Sequence, residues 1–223
     1  VKRVGDWYQI SFNVWRNATK SDVLYYLDPK NFLDDEKLRF QFLDLSKPSG
    51  ATVEQLNNFL KGKGDLEGQG EAFITAAKTH GVNDIYLIAH AILETKHGEK
   101  AKFVYNGKTV YNMFGIGAVD HDSYNGAART AYNNGWFTPE AAIIGGAKFI
   151  GNNYVKAGQN TLYKMRWNPA AMEINIKGGM VSPHQYATDI GWAAKQLDNM
   201  YNYYKVIGIV NPKFEIPVYK EPE

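Results

Sequence analysis

Four side chains that can exchange protons or bind a metal share one face of a predicted helix. Tyr86, His90 and Glu94 are spaced four residues apart, and His97 follows three residues later, so the helical period places all four on the same side. Glu94 is the unusual member, because the helix around it is otherwise apolar. Burial disfavours the charged form of a carboxylate and raises its pKa. A carboxylic acid that stays protonated near neutral pH can protonate a glycosidic oxygen, so Glu94 is a candidate general acid.

Two other interpretations of this face stay open at this point. A glutamate in the last turn of a helix can simply extend to water, and this is its more common use. His90, Glu94 and His97 also have the residue types of a metal site. The zinc-protease pattern, with two histidines four apart and a glutamate beside the first, is absent. We therefore expect no metal and no other cofactor.

The elements that must position this face are mostly helices. Asn83 can cap the start of the Glu94 helix, and Gly98 can close its end in the left-handed conformation. Most of the circumference of this helix is apolar, which predicts a buried helix. Further helices are predicted after Asp34, at 52–60, at about 69–80, at 138–150 and from Asp189 to Gly208. Residues 152–182 are expected to be irregular.

A β-hairpin is predicted directly after the Glu94 helix. Residues 103–111 contain Asn106-Gly107 between β-forming residues, which is the strongest short hairpin signal. A helix that ends in an acidic residue and is followed by a hairpin predicts a cleft between a helical wall and a small β lobe. The predicted fold class is α+β, mainly α. We expect residues 1–50 to form an extension packed on, or leading into, a main domain at 51–223.

Composition limits the classes of function. The chain has 223 residues, 44% hydrophobic and 22% charged, with no cysteine and a net charge of +2. This is typical of a globular protein without a disulfide scaffold, and the balanced charge gives no reason to expect a nucleic-acid partner. The 15 Tyr, 5 Trp and 11 Phe suit either a core or a sugar-binding groove. No apolar run is long enough to span a bilayer, and no signal peptide is visible.

Several segments taken together resemble glycoside hydrolase family 73. They are Ala-His-Ala-Ile-Leu-Glu-Thr at 89–95, Asn-Met-Phe-Gly-Ile at 112–116 and His-Gln-Tyr-Ala-Thr-Asp at 184–189, with further similarity at 58–64, 144–151 and 158–169. The resemblance covers roughly residues 35–219. It implies a lysozyme-like fold, cleavage of peptidoglycan glycan strands after N-acetylglucosamine, and a location outside the cell, in the wall or on the outer face of the membrane. Any membrane or wall anchor is expected outside these residues.

The resemblance also implies roles for individual residues. The family's acid falls on Glu94, and its site tyrosine falls on Tyr186. Asp120 and Asp122 are candidates for a second catalytic group, although each has a structural role as the more common alternative. Substrate-binding positions are expected at Phe114, Gly115, Ile116, Tyr163, Trp167, Gln185 and Asp189.

Two departures from the family pattern concern substrate preference. The segment after Glu-Thr is usually small and polar in the family, whereas Lys-His-Gly-Glu-Lys stands here at 96–100. The loop at 170–182 is also longer. Three alternatives to the main prediction are a non-catalytic glycan-binding module, a muramidase and a zinc hydrolase.

Overall fold

The computed structural model describes the backbone of residues 2–4 and 7–9 and the full residues 17–118, 122–180, 184–209 and 211–220, apart from the side chain of Ser123. Helices dominate this part of the chain. They are α1 (Lys20–Leu27), α2 (Val53–Leu60), α3 (Gly70–His80), α4 (Asp84–Glu94), α5 (Ser123–Asn133), α6 (Pro139–Ile150), α7 (Leu162–Trp167), α8 (Pro169–Ile176), α9 (Trp192–Lys195) and α10 (Leu197–Ile207).

The strands form two small antiparallel pairs. Strand β1 (Lys2–Val4) pairs with β2 (Trp7–Gln9), and β3 (Lys102–Tyr105) pairs with β4 (Lys108–Tyr111). Asn106 and Gly107 connect β3 to β4 with φ angles of 48° and 71°. Positive φ at both positions is what a two-residue hairpin turn with the right twist requires. The predicted hairpin and the predicted α+β, mainly α, fold class are therefore confirmed.

Local capping signals placed several helix ends correctly. Thr52 forms a capping box with Gln55 at the start of α2, and Thr138 accepts a hydrogen bond from Ala141 N–H at the start of α6. Gly81 ends α3 in the left-handed conformation. These caps depend on a few neighbouring residues, so they can be predicted from sequence.

Three predicted elements differ from the structure. Residues 152–182 were predicted to be irregular, but their described part, 152–180, contains most of the π-helical turn at Gly151–Val155 and then α7 and α8. The helix expected after Asp34 is only a short 3₁₀ turn at Leu38–Phe42. The final helix is broken at Gln196 into α9 and α10. Local start signals were present in the first of these segments, where Thr161 caps α7 and Pro169 stands at the start of α8.

Helix α4 lies at the centre of the main core. Ile85, Leu87, Ile88 and Ala91 have no exposed surface, whereas Leu93 is exposed next to Glu94. The apolar circumference of α4 is therefore buried everywhere except at the final turn. That exception turns the end of the helix toward solvent, where Glu94 stands.

Residues before position 50 contribute to the same interior. Phe40, Leu43 and Leu45 belong to the main core, and Leu43 forms an isolated antiparallel bridge with Phe214 near the C-terminus. No helix in the described residues is both long and apolar enough to cross a membrane.

Candidate functional site

Helix α4 stops immediately after Glu94. Thr95 is the C-cap residue, and its hydroxyl donates a hydrogen bond to Ala91 O at 2.5 Å while accepting one from Gly98 N–H at 2.8 Å. Lys96, His97 and Gly98 then follow with positive φ angles. This tight reversal ends the helix earlier than the sequence suggested, and it moves His97 off the helical face that Tyr86, His90 and Glu94 share.

A contact between two glycines fixes the turn after Glu94. A Cβ atom on Gly98 would lie 2.1 Å from Lys63 O, and one on Gly64 would lie 2.7 Å from Gly98 O. Asp65 N–H also donates to Gly98 O at 3.2 Å. The loop before α3 therefore holds the end of α4 by a backbone contact that only glycine allows.

The Glu94 carboxylate is open to solvent and accompanied by a histidine. Its side chain is 39% exposed, and His90 Nε2 lies 3.7 Å from Glu94 Oε1. The interaction with His90 lowers the pKa of Glu94 below its ordinary value, because it outweighs the opposing effect of partial burial. The expectation that burial raises this pKa is wrong for the free protein. The end of α4 is exposed, and the His90 side chain, one turn before the carboxylate, favours the ionised form of Glu94, mainly as a hydrogen-bond partner.

The loop after the hairpin brings its backbone against Glu94. A Cβ atom on Gly115, whose φ is 64°, would lie 2.8 Å from Glu94 Oε2, so any other residue here would collide with the carboxylate. Asn112 holds this loop in place. Its amide donates to Ile116 O at 2.8 Å and to Ala127 O at 3.1 Å, and its carbonyl accepts from Ile116 N–H at 3.2 Å.

Phe114 packs behind the site. It was expected from the sequence to line the groove, but it does not. Its ring is buried, and a Cβ atom on Gly146 of α6 would lie 2.2 Å from it. The ring centroids of Phe114 and His90 are 5.6 Å apart in an edge-on arrangement. Phe114 therefore packs between α6 and His90, and the half-buried Ile116 packs against the same core.

An aromatic cleft of about 140 Å³ opens beside Glu94. Tyr186 is 52% exposed in this cleft, with its ring 4.6 Å from that of Trp192 and 5.4 Å from that of Tyr154. Burial, together with the nearby Tyr186 and Tyr154 hydroxyls, raises the pKa of Tyr86. The lining residues are Tyr86, Ala89, His90, Leu93, Glu94, Leu162, Tyr186, Trp192, Gln196, Asn199 and Met200.

Most of the remaining lining residues could not be predicted as site residues from the sequence, including the polar or aromatic Trp192, Gln196 and Asn199. Trp192 lies on α9, Gln196 lies between α9 and α10, and Asn199 lies on α10. No motif or spacing in the sequence relates these residues to Glu94. They reach the cleft because α10 packs against α4. Only the tertiary arrangement of these helices could reveal them.

A buried glutamine anchors the segment that carries Tyr186. Gln159 Nε2 donates to His184 O at 2.9 Å and to Lys164 O at 3.0 Å, so its Oε1 is the acceptor that faces His184 Nδ1 at 2.6 Å. His184 Nδ1 must then carry the proton. Tyr186 N–H donates to Met165 O at 2.9 Å. These bonds tie the Tyr186 segment to the end of α7.

Two other predicted binding residues on this segment make contacts within the chain. Gln185 is exposed, and its amide donates to Trp167 O at 3.3 Å. Asp189 accepts from Gly191 N–H at 2.9 Å and pairs with Lys195 Nζ at 2.5 Å. Burial opposes ionisation of Asp189, but these partners outweigh it and hold its pKa below the ordinary value. Both carboxylate oxygens are thus occupied by the turn that leads into α9.

Tyr163 and Trp167 lie in a second core cluster with Phe32 and Phe42, away from solvent. The Tyr163 hydroxyl donates to Leu27 O at 2.5 Å and is 2.7 Å from the Tyr219 hydroxyl. The expectation that these two rings line the groove is corrected by their burial. They fill the space between α7 and the residues before position 50.

Of the two aspartates predicted as candidates for a second catalytic group, the structure describes only Asp122. Asp120 lies outside the described residues. Asp122 is half-buried at the N-cap of α5, makes no side-chain cap hydrogen bond, and is not among the residues that line the cleft. Among the described residues, no three His, Asp or Glu side chains are grouped as a metal site would require.

Sequence comparisons identify relatives over most of the chain. A family described as mannosyl-glycoprotein endo-beta-N-acetylglucosaminidase matches residues 70–205. The chain is 47% identical to a beta-N-acetylglucosaminidase of Bacillus subtilis (strain 168) over 99% of its length, and 46% identical to a bifunctional autolysin of Staphylococcus aureus (strain MSSA476) over 92%. It spans 24% and 17% of the lengths of these curated relatives.

Solved structures with the same fold cover nearly the whole chain. A crystal structure of a major bifunctional autolysin has a TM-score of 0.81 and 45% identity, over 96% of this chain and 87% of that one. A complex of a catalytic glutamate-to-alanine mutant of S. aureus autolysin E with the disaccharide NAG-NAM has a TM-score of 0.65 and 35% identity, over 92% and 86%. With the sequence match, these similarities show that the chain belongs to the glucosaminidase family, glycoside hydrolase family 73.

Proposed function

We propose that this chain hydrolyses the β-1,4 bond after N-acetylglucosamine in cell-wall glycan strands, with Glu94 as the general acid. One observation carries the proposal. In a chain of the glucosaminidase family, the Glu94 carboxylate stands at the open end of a buried helix, beside an aromatic cleft, with the Gly115 backbone directly against it. Aromatic rings can stack on sugar faces, and a carboxyl group beside them can reach a glycosidic oxygen.

Glu94 has a lowered pKa in the free protein, whereas a general acid must carry a proton when the substrate is bound. In the free protein the carboxylate faces water and His90, so the charged form is favoured. A glycan that fills the cleft removes water from Glu94, and desolvation raises the pKa of a carboxylate. Substrate binding is then the step that prepares Glu94 to donate its proton.

For the second group we propose the acetamido group of the substrate itself. Its carbonyl oxygen attacks the anomeric carbon while Glu94 protonates the departing oxygen, and water then opens the resulting ring and returns a proton to Glu94. We propose that Tyr186 stabilises this intermediate. Its exposed side chain, whose hydroxyl makes no hydrogen bond with any described residue, supports this role. Asp120 or Asp122, acting on a water molecule, is the alternative route, and we expect neither to form a covalent glycosyl-enzyme.

The partner is a peptidoglycan glycan strand, and we expect no nucleic-acid partner. The names of the relatives support a location in the cell wall or outside the cell, with any anchor outside these residues. We propose that residues 1–50 form an extension packed on a catalytic domain at 51–223, which the contacts of Phe40, Leu43 and Leu45 support.

Digestion of purified cell walls tests the reaction and its specificity. Products reduced with borohydride and hydrolysed to sugars should contain reduced N-acetylglucosamine. Recovery of reduced muramic acid would instead identify a muramidase. Parallel dye-release assays, with and without a chelator, separate the other classes: a zinc hydrolase loses activity in chelator, and a glycan-binding module releases no dye in either condition.

A further inference from the structure

A second cavity, of about 470 Å³, lies where the end of α6 meets the turn between α5 and α6. None of its lining residues lines the cleft beside Glu94. Its walls combine amide side chains, an aromatic pair and a lysine. The lining residues are Asn134, Trp136, Gly145, Lys148, Phe149, Asn152 and Asn153.

Trp136 provides a hydrogen-bond donor at this cavity. Its ring is almost fully buried, yet its indole N–H has no acceptor among the described residues and is not sealed from solvent. A Cβ atom on Gly145 would lie 2.0 Å from the indole nitrogen. Only glycine at position 145 therefore leaves room for the Trp136 ring, and both residues line the cavity. Buried tryptophans usually satisfy this N–H, so its availability needs an explanation.

Three amide side chains line the same cavity as this donor. The π-helical turn at Gly151–Val155 carries the exposed Asn152 and Asn153, and such turns are frequent at functional sites. Asn134, at the end of α5, donates to Thr130 O at 2.8 Å and keeps its carbonyl oxygen as an acceptor. Each amide offers both donors and acceptors, which matches the hydroxyl and acetamido groups of a sugar.

Phe149 and Lys148 complete the cavity with an apolar and a charged surface. Phe149 is 39% exposed and meets Trp136 edge-on, with ring centroids 6.0 Å apart. Lys148 is exposed and forms no ion pair with any described residue. An exposed ring can stack on the apolar face of a pyranose, and an unpaired ammonium can attract a carboxylate.

We propose that this cavity is a second glycan-binding site, for an N-acetylated pyranose with a carboxylate close to it. The identity of the glycan rests on the proposed function, whereas the cavity and its donors do not. The same π-helical turn also carries Tyr154, whose ring contacts Tyr186 in the cleft. A polymer held at both sites has a higher effective concentration at the cleft, so the second site should matter for long strands and not for short ones.

Nuclear magnetic resonance of the Trp136 indole N–H tests the site directly. The protein is ¹⁵N-labelled and carries Glu94→Gln to prevent hydrolysis, and Trp136→Phe assigns the signal among those of the 5 tryptophans. The probes are an N-acetylglucosamine tetramer and a GlcNAc–MurNAc-dipeptide. We expect a saturable shift of the Trp136 signal with both probes. The shift should persist when Trp192→Ala disrupts the cleft, and binding should weaken about tenfold or more with Phe149→Ala or Asn153→Ala.

Two further measurements sharpen the result. Lys148→Ala should weaken binding of the acidic probe about two- to fivefold, as for an exposed charge pair, and should leave the neutral tetramer unaffected. In the otherwise wild-type enzyme, Phe149→Ala should slow the release of insoluble wall and not the cleavage of a short oligomer. The proposal is overturned if the Trp136 signal shows no saturable shift, or if Trp192→Ala abolishes the shift while Phe149→Ala does not. An inactive protein that still gives the Trp136 shift would refute the proposed hydrolase function alone.

Discussion

Tyr186 and Tyr163 both lie in segments that resemble the family, yet the structure uses them in opposite ways. Tyr186 is 52% exposed beside Glu94, and no described residue accepts from its hydroxyl. Tyr163 has no exposed surface, and its hydroxyl is engaged by Leu27 O and the Tyr219 hydroxyl. A polar atom with an internal partner stabilises the fold, whereas one left open to a cleft is available to a ligand. The cleft and the second core cluster should therefore respond to mutation through different observables.

The largest effect is expected for Glu94→Gln. A neutral isostere keeps the shape of the cleft and cannot donate a proton, and general acid catalysis contributes about two to four orders of magnitude in rate. The wall-hydrolysis rate should fall by that amount, with the thermal unfolding midpoint unchanged. Glu99→Gln, an exposed change five residues later, is the matched control. If the Glu94→Gln protein keeps more than about a tenth of the wild-type rate, Glu94 is not the general acid.

Replacing Tyr186 by Phe removes one hydroxyl from the cleft. If that hydroxyl stabilises the acetamido-derived intermediate, kcat should fall at least about tenfold, equivalent to about 1.4 kcal/mol of barrier. Unfolding should not change, because the hydroxyl has no described partner to lose. Asp122→Asn is the informative comparison. A mild effect of Tyr186→Phe together with a severe effect of Asp122→Asn would favour the water-based route.

The opposite result is expected for Tyr163→Phe. The change leaves the half-buried Leu27 O without its donor, which should lower the free energy of unfolding by about 1–2 kcal/mol. The kcat of the folded enzyme should stay within about twofold, since the ring fills the second core cluster and does not reach the cleft. Chemical denaturation and steady-state kinetics measure the two quantities. A lower kcat with unchanged stability would contradict this prediction and indicate that Tyr163 contributes to substrate binding.

The smallest effect concerns the pH dependence of activity. His90 lowers the pKa of Glu94, so His90→Asn should raise it, and the protonated acid should then persist to higher pH. The basic limb of the kcat/KM profile, which reports the free enzyme, should therefore move to higher pH. His97→Asn, beyond the end of α4, should leave this limb in place. A limb that stays put or moves to lower pH in His90→Asn would show that His90 does not set the pKa of Glu94.

Some features of this protein follow from short stretches of sequence alone. The start of α4 at Asn83, the Asn106-Gly107 hairpin and the start of α6 at Thr138 each depend on a few adjacent residues. Side-chain caps and positive-φ turns are local, because their hydrogen bonds close within four residues. The helical period likewise placed Tyr86, His90 and Glu94 on one face, and all three line the same cleft.

Other features were decided only by tertiary structure. Sequence could not show that Glu94 stays exposed, that the Gly115 backbone lies against it, or that Trp192 lines the same cleft. It also could not distinguish the exposed Tyr186 from the buried Tyr163. Exposure, desolvation and the partner of each hydroxyl depend on elements far apart in the chain, so the sequence determined which groups could react, and packing decided which of them reach the substrate.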